Sequence, residues 1–368
     1  MKKLGALARH TIQKMIRARH IRGARAENAQ PASLDLTLTN ELYRVQSVFL
    51  PQPGERVKNA MAAVAPERHN MKIPLEVGVT YLARLAESLA LPKDVYAYAN
   101  PKSSLGRIDV HVRMLADAIT RFDSAGVRGY QGELWALITP GSFRVKVNPG
   151  DSLLQLRFLN HDTRFGTERE LKAVHEKTPL VFTGGKAVAY DDFAVNDRDG
   201  TLTLTVNLDL TIAGYRAERS QNVLDLSKRA LYDADDFFQK IPRPKNGAVT
   251  LRKGDFYILA TKEALRVPPA YAAEVKPIDV RTGEYRAHYA GFFDPGWGYG
   301  PKGDIPGAPA VLEVRAFEDN IIIRSGQPIC KIVFERMAEI PKHVYGATGS
   351  HYLDQKGIKL SKHFRKTA

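Results

Sequence analysis

The sequence predicts an all-β-dominated chain of two tandem β-barrel or β-sandwich modules with a few short helices. Three observations carry this reading. Short runs of alternating apolar and polar residues recur between Pro and Gly turns. At 368 residues the chain is longer than one ordinary core organises. Landmarks of the first half return in the second at a constant interval.

In order, Leu34, Leu36 and Leu38 alternate with Asp35 and Thr37 after Pro31, which opens a β-region over Gln30–Leu38. Glu55–Lys72 is polar and reads as loop. Pro74–Pro101 breaks into short strands at Gly78 and Pro92, ending on the Tyr-rich run Val95–Ala99. Ile108, Val110 and Val112 alternate next, then Leu134–Ile138 and Phe143–Val147, and Pro149-Gly150-Asp151 turns the chain into Leu153–Phe158. Thr167–Lys177 is charged and helix-compatible, and Gly184-Gly185 follows. Alternation resumes at Thr201–Thr205 and Val206–Leu210, where Asn207 echoes Asp35. The chain is expected to divide into a first module (1–160), a linker (161–185), a second module (186–340) and a tail (341–368).

The echo is systematic. Gly78 and Tyr81 match Gly254 and Tyr257, and Glu87, Leu89, Pro92 and Pro101 match Glu263, Leu265, Pro268 and Pro277, all 176 residues on (78 to 254). Gly150 and Phe158 match Gly326 and Phe334 at the same interval (158 to 334). An ungapped match of this length implies a duplicated module.

Composition narrows the function. Hydrophobic residues make up 44% and aromatics 9%, a globular balance. No apolar run has membrane-spanning length and no charged-then-apolar leader opens the chain, so a soluble cytoplasmic protein without a membrane partner is expected. The net charge of +14 favours an anionic partner, nucleic acid or a nucleotide. Cations cluster between Met1 and Arg25, where Leu4, Leu7, Ile12, Met15 and Ile16 keep helical spacing. This reads as an amphipathic helix and a basic turn; a transit peptide or a nucleic-acid arm fits the same pattern. The single cysteine, Cys330, lies in an apolar run and reads as core. One cysteine cannot supply a C-x-x-C pair, and the histidines lack H-x-x-x-H spacing, so no zinc site is expected.

Chemistry concentrates where the copies differ. Lys102-Ser103-Ser104-Leu105-Gly106-Arg107 places two hydroxyls between two cations, a donor set that suits phosphate oxygens. The second copy reads Ile278-Asp279-Val280-Arg281 and lacks the hydroxyl pair. Conversely, Leu137 faces Glu313 across the interval, and Glu313 is the lone acid of Ala310–Val314. Such a carboxylate is either a paired structural acid or one held poorly solvated for proton transfer. Phe122-Asp123 aligns with Phe293-Asp294, and only the second copy continues into Pro295-Gly296-Trp297. One copy with the loop and one with the acid and aromatic turn suggest a composite site.

These residues resemble the two-module form of the dCTP deaminases, within the trimeric dUTPase-like superfamily. The motifs are the Lys102–Arg107 loop, Phe293–Trp297, Glu313, the tail run Tyr352-Leu353-Asp354-Gln355-Lys356-Gly357, and Pro31–Leu36. The resemblance implies two tandem dUTPase-like β-barrel or β-prism modules and zinc-independent hydrolysis of dCTP to dUTP and ammonia. It makes Glu313 the proton-transferring base, with Ser103, Arg107 and the carbonyl of Ala290 at the reacting centre. Asp294 and Trp297 would meet the deoxyribose. Lys102, Ser104, Tyr352 and Gln355 would meet the triphosphate, with Mg²⁺ carried on the phosphates and no metal ligands from the protein. It also implies a homo-oligomer with sites between modules. The segment from Asp123 to Gly132 resembles the uridine hairpin of dUTPases, which leaves dUTP hydrolysis, alone or after deamination, as an alternative. A non-catalytic nucleotide- or nucleic-acid-binding protein is the remaining one.

Overall fold

The computed structural model describes residues 3–126, 128–194, 196–278, 285–286, 291–300, 302–347, 352 and 355–365. They fall into two units. The N-terminal unit is built on Gly5–His161 and takes in Arg219–Phe237 and the chain end from Ser361; the C-terminal unit holds Asp162–Glu218 and Phe238–Leu360. Both are dominated by antiparallel strands. Among the described residues no helix is long and apolar enough to cross a membrane.

In the N-terminal unit the main sheet runs Val110–Ala116, Gln131–Pro140, Thr80–Ala90, Leu34–Val45, Ser152–Leu159, Tyr96–Pro101, Ser124–Ala125. Leu34, Leu36 and Leu38 are buried, as period-two alternation requires. In the C-terminal unit Phe256–Leu265 pairs with Ala308–Ala316, Ile212–Ala217 and Val181–Thr183. A second sheet runs Thr201–Thr205, Pro328–Arg336, Tyr271–Lys276, Phe292–Phe293. Cys330 lies in this unit's core, across the strand pair from Leu204.

The duplication holds at the level of strand register. Leu82 faces Leu137 in one unit, and Ile258 faces Glu313 in the other, each 176 residues on (82 to 258, 137 to 313). The bulges also repeat, at Arg84/Ser88 and at Ala260/Ala264. Each bulge carries a glutamate that accepts from one threonine twice. Glu87 takes the N–H and hydroxyl of Thr37, both at 2.9 Å, and Glu263 takes those of Thr205 at 2.7 and 2.6 Å. A bulge leaves strand N–H groups without a ladder partner, and the carboxylate supplies one.

Burial pushes the Glu87 carboxyl up to about 7, against the two Thr37 hydrogen bonds that favour its charged form. The native state therefore holds a proton that an unfolded glutamate releases at about 4.3. The stability this contributes is fully present below that value and is lost as pH rises through about 7. Glu87→Gln is expected to remove this dependence. Between about pH 5 and 8 the wild type should lose on the order of 3 kcal/mol relative to the variant in denaturant titrations. Parallel profiles would show that Glu87 is not the titrating group.

Two expected correspondences are corrected by register. Leu34–Thr37 matches Leu202–Thr205 at an interval of 168 (37 to 205), since both sets pair with residues of the last strand of their module that are 176 apart. Asp35 is therefore replaced by Thr203, not by Asn207. Likewise Ala125 and Phe293 pair with Ala97 and Ala273, so the interval is again 168 (125 to 293). The counterpart of Asp294 is then Gly126, not Asp123. Tyr130 is the counterpart of Trp297, because their carbonyls accept from Leu91 and Val267, at 2.9 and 2.8 Å. Hydrogen-bond register outweighed the Phe-Asp identity on which the alignment rested.

The segment 161–185, expected as a linker, repeats the chain's N-terminal arm. Leu7 donates to Phe158 and Phe165 to Phe334, both at 2.8 Å; Ala90 donates to His20 and Arg266 to Leu180, both at 2.8 Å. The helices Arg9–Arg17 and Glu168–Lys177 occupy equivalent places, the first burying Ile12 and Met15, the second Leu171 and His175. Thr167 caps the second helix by accepting from Glu170. The basic N-terminal helix is thus a packed part of the module, with Lys14 and Arg17 on its exposed side. The expected loop at Glu55–Lys72 also carries structure. It forms a helical turn at Val57–Ala60 and a 3-10 turn at Met61–Val64, which bury Val57 and Val64.

Candidate active site

The phosphate-type loop sits in the N-terminal unit at the end of Tyr96–Pro101. Ser103–Gly106 is a single helical turn entered from extended Lys102, whose carbonyl accepts from Leu105 and Gly106. The turn is pinned on both sides. Lys102 donates its N–H to Leu153 at 3.0 Å, and Leu105 and Ile108 are buried beneath it. It ends on Asp109 in the left-handed region (φ 56°), a conformation few side chains tolerate. Asp109 is held there by Gly141, which donates to its carbonyl at 2.7 Å, and by Ser142, whose hydroxyl donates to its carboxylate at 2.5 Å. Sequence reasoning missed this clamp; an acid after the loop gave no signal of unusual backbone. Ser103 is half-buried, Ser104 and Arg107 are buried, and Lys102 pairs with Asp35.

Glu313 lies in the C-terminal unit, 1% exposed. Its strand neighbours Leu312 and Val314 belong to the core cluster, so by alternation its side chain is on the sheet's other face, with its cross-strand partner Ile258. In the N-terminal unit the same face is filled. Leu82, Leu137 and Trp135 pack there with Val57 and Val64 of the helical turns. One copy closes this face with apolar side chains and the other places a carboxylate on it.

Asp294 and Trp297 lie in a turn after Phe292–Phe293. Trp297 donates its N–H to Asp294 at 3.0 Å, and its ring packs on Phe293 at 4.6 Å between centroids. Gly296 is obligatory here: φ is +94°, and a Cβ would lie 2.6 Å from Val344. Gln355 of the tail is buried and donates to the Pro309 carbonyl at 2.6 Å, at the head of the Glu313 strand; Tyr352 is half-buried. Ala290, Asp279 and Val280 lie outside the described residues.

The structure therefore gathers Lys102, Ser103, Ser104 and Arg107 in one unit, and Asp294, Trp297, Glu313, Tyr352 and Gln355 in the other. The N-terminal unit has Gly126 in place of Asp294 and Leu137 in place of Glu313. It can present donors to phosphate but has neither the strand acid nor the turn acid.

The chain is thus a twice-built antiparallel module, with a hydroxyl-cation loop in one copy and a buried strand carboxylate in the other, and its comparisons place it among the enzymes of the dUTPase-like superfamily. Residues 3–162 match the model for the 2'-deoxycytidine 5'-triphosphate deaminase N-terminal domain, and residues 167–364 match that for the C-terminal domain. The chain belongs to the 2'-deoxycytidine 5'-triphosphate (dCTP) deaminase family. The crystal structure of 2'-deoxycytidine 5'-triphosphate deaminase from Agrobacterium tumefaciens is similar at a TM-score of 0.81 and 36% identity, over 92% of this chain and 100% of that one. A dCTP deaminase of Haloarcula marismortui is 27% identical over 158 residues, 41% of this chain and 77% of that protein.

Proposed function

We propose that this chain hydrolyses dCTP to dUTP and ammonia. The observation that carries the reading is the register match of Glu313 with Leu137, which puts one buried carboxylate where its copy has only packing. Glu313 takes a proton from water as the oxygen bonds to C4 of cytosine. It passes that proton to N3 of the ring, then carries the remaining hydroxyl proton to the exocyclic nitrogen, so that C4=O forms as the C4–N bond breaks and ammonia leaves. Ser103 and Arg107 stabilise charge that develops on the ring and the attacking oxygen. The carbonyl of Ala290 orients the water. Asp294 and Trp297 hold the deoxyribose, while Lys102, Ser104, Tyr352 and Gln355 hold the phosphates. Mg²⁺ enters with the triphosphate as part of the substrate. Among the described residues no cluster of three His, Cys, Asp or Glu side chains offers a cation site of its own.

A hydrolase that attacks phosphorus needs an acid free to activate water. Asp123, in the first module's hairpin, instead accepts from the Met114 N–H at 2.7 Å and pairs with Arg113. Ammonia release from dCTP, with the product identified by chromatography, tests the reading: dUTP is expected, and dUMP as the first product would overturn it.

Neither unit holds both sets of residues, so in this reading the loop and the acid come from different modules of a homo-oligomer. A cytoplasmic location fits such an enzyme. Purified Arg107→Ala and Glu313→Gln assemblies are each expected to be inactive. Activity in mixed assemblies of the two would show that loop and acid come from different chains; activity in either half of the chain expressed alone would refute the composite site.

A further inference from the structure

The chain's last described residues form a strap across the N-terminal unit. Ala230 and Leu231 donate to the carbonyls of Lys362 and His363, both at 3.0 Å, and Arg365 donates to Tyr232 at 2.8 Å. Phe364 is buried against Phe237 at 5.5 Å between centroids. Ser361, also buried, donates its hydroxyl to the carbonyl of Ser104 at 2.7 Å. The strap is therefore tied to the phosphate-type loop itself, and the next side chain along it is a lysine.

Lys362 is half-buried among charges from four other segments. These are Asp35 of the Leu34–Val45 strand, Lys102 of the loop, Asp151 of the Pro149–Asp151 turn and Arg229 of the Arg219–Phe237 segment, with His363 beside it. It feels them without a hydrogen bond to any, among the described residues. Lys102, by contrast, is already paired with Asp35.

We propose that Lys362 supplies a second ammonium group to the phosphate chain of the nucleotide, delivered to the Ser103-Ser104 loop by the strap. The identity of the anion rests on the deaminase reading; its position rests on the Ser361–Ser104 tie. The electrostatics agree. Burial, then Lys102 and Arg229, lower the Lys362 pKa to about 8, while Asp35 and Asp151 oppose the shift. A polyanion offsets the repulsion between these cations and restores the charged form. Binding should therefore take up a proton just above pH 8 and weaken as pH rises further.

The test is calorimetric titration of the full chain with inorganic tripolyphosphate and with dCTP, in two buffers of different ionisation heat at about pH 8.5. Lys362→Gln is expected to bind both ligands about tenfold more weakly, equivalent to about 1.4 kcal/mol. It should lose the proton uptake and raise KM for dCTP with kcat changed less than about twofold, and Lys362→Arg should restore affinity. The wild-type uptake needs no variant, so misfolding of the Gln form does not blunt the test. Should the wild type turn over dCTP while Lys362→Gln binds both ligands equally well, this inference alone falls. If tripolyphosphate binding depends on Lys362 but dCTP is not deaminated, the phosphate site stands and the deaminase reading fails. If the wild type binds neither ligand, both fall.

Discussion

Glu313→Gln is expected to lower dCTP turnover by about two orders of magnitude or more while leaving the fold and nucleotide affinity close to wild type. The amide keeps the shape of the side chain and cannot accept a proton from water. The position tolerates an uncharged group, since its register counterpart Leu137 is packed in the other unit. Loss of a charge from a site 1% exposed also gives no reason for unfolding. The measurement is kcat by ammonia release beside a dCTP binding isotherm. A Gln variant that turns over near the wild-type rate would remove Glu313 from proton transfer, and one that loses binding in proportion would make it a binding group.

Phe364→Ala is expected to destabilise the N-terminal unit by about 3–5 kcal/mol, the usual range for a buried phenylalanine. The ring is 2% exposed and packs edge-on against Phe237, which in turn meets Phe143 at 5.2 Å and Tyr232 at 5.9 Å. Truncation after Leu360 removes this ring together with the Ser361–Ser104 bond. It should damage stability as well as turnover, unlike the removal of a mobile lid, which would spare the fold. Differential scanning calorimetry reads the outcome as a drop of roughly 10 °C in the midpoint of the N-terminal unit. An unchanged midpoint with lost activity would show that the chain end serves turnover and not the fold.

The strands were legible because alternation is a local signal, and the 176-residue interval was legible because matched strands keep matched landmarks. Glu313 stood out as one acid in an apolar strand. What escaped the sequence was set by contacts between distant segments. The arm at 164–182 was missed because RHTIQKMIR and ERELKAVHEK share only apolar spacing, Ile12 and Met15 against Leu171 and Val174, while their charges differ. The slip to 168 at the Asp294 hairpin was hidden by a chance Phe-Asp identity that no backbone hydrogen bond supports. The parallel pairing of Val223–Asp225 with Arg144–Lys146, which joins a stretch of the second module to the N-terminal unit, leaves no local trace at all.

That borrowed stretch and the strap set a timetable for biosynthesis. The hydroxyl of Ser361 reaches a carbonyl 257 residues earlier in the chain. At about 5–20 residues per second, the roughly 200 residues between His161 and Ser361 take about 10–40 s to translate. For the first part of that interval, until Phe237 is made 76 residues after His161 (161 to 237), Phe143 is uncovered and the backbone of Arg144–Lys146 lacks its partner strand; the contact of Phe364 with Phe237 comes only at the end of it. Completion of the first module waits for the synthesis of residues 361–365, and until then the nascent module is a natural client for chaperones.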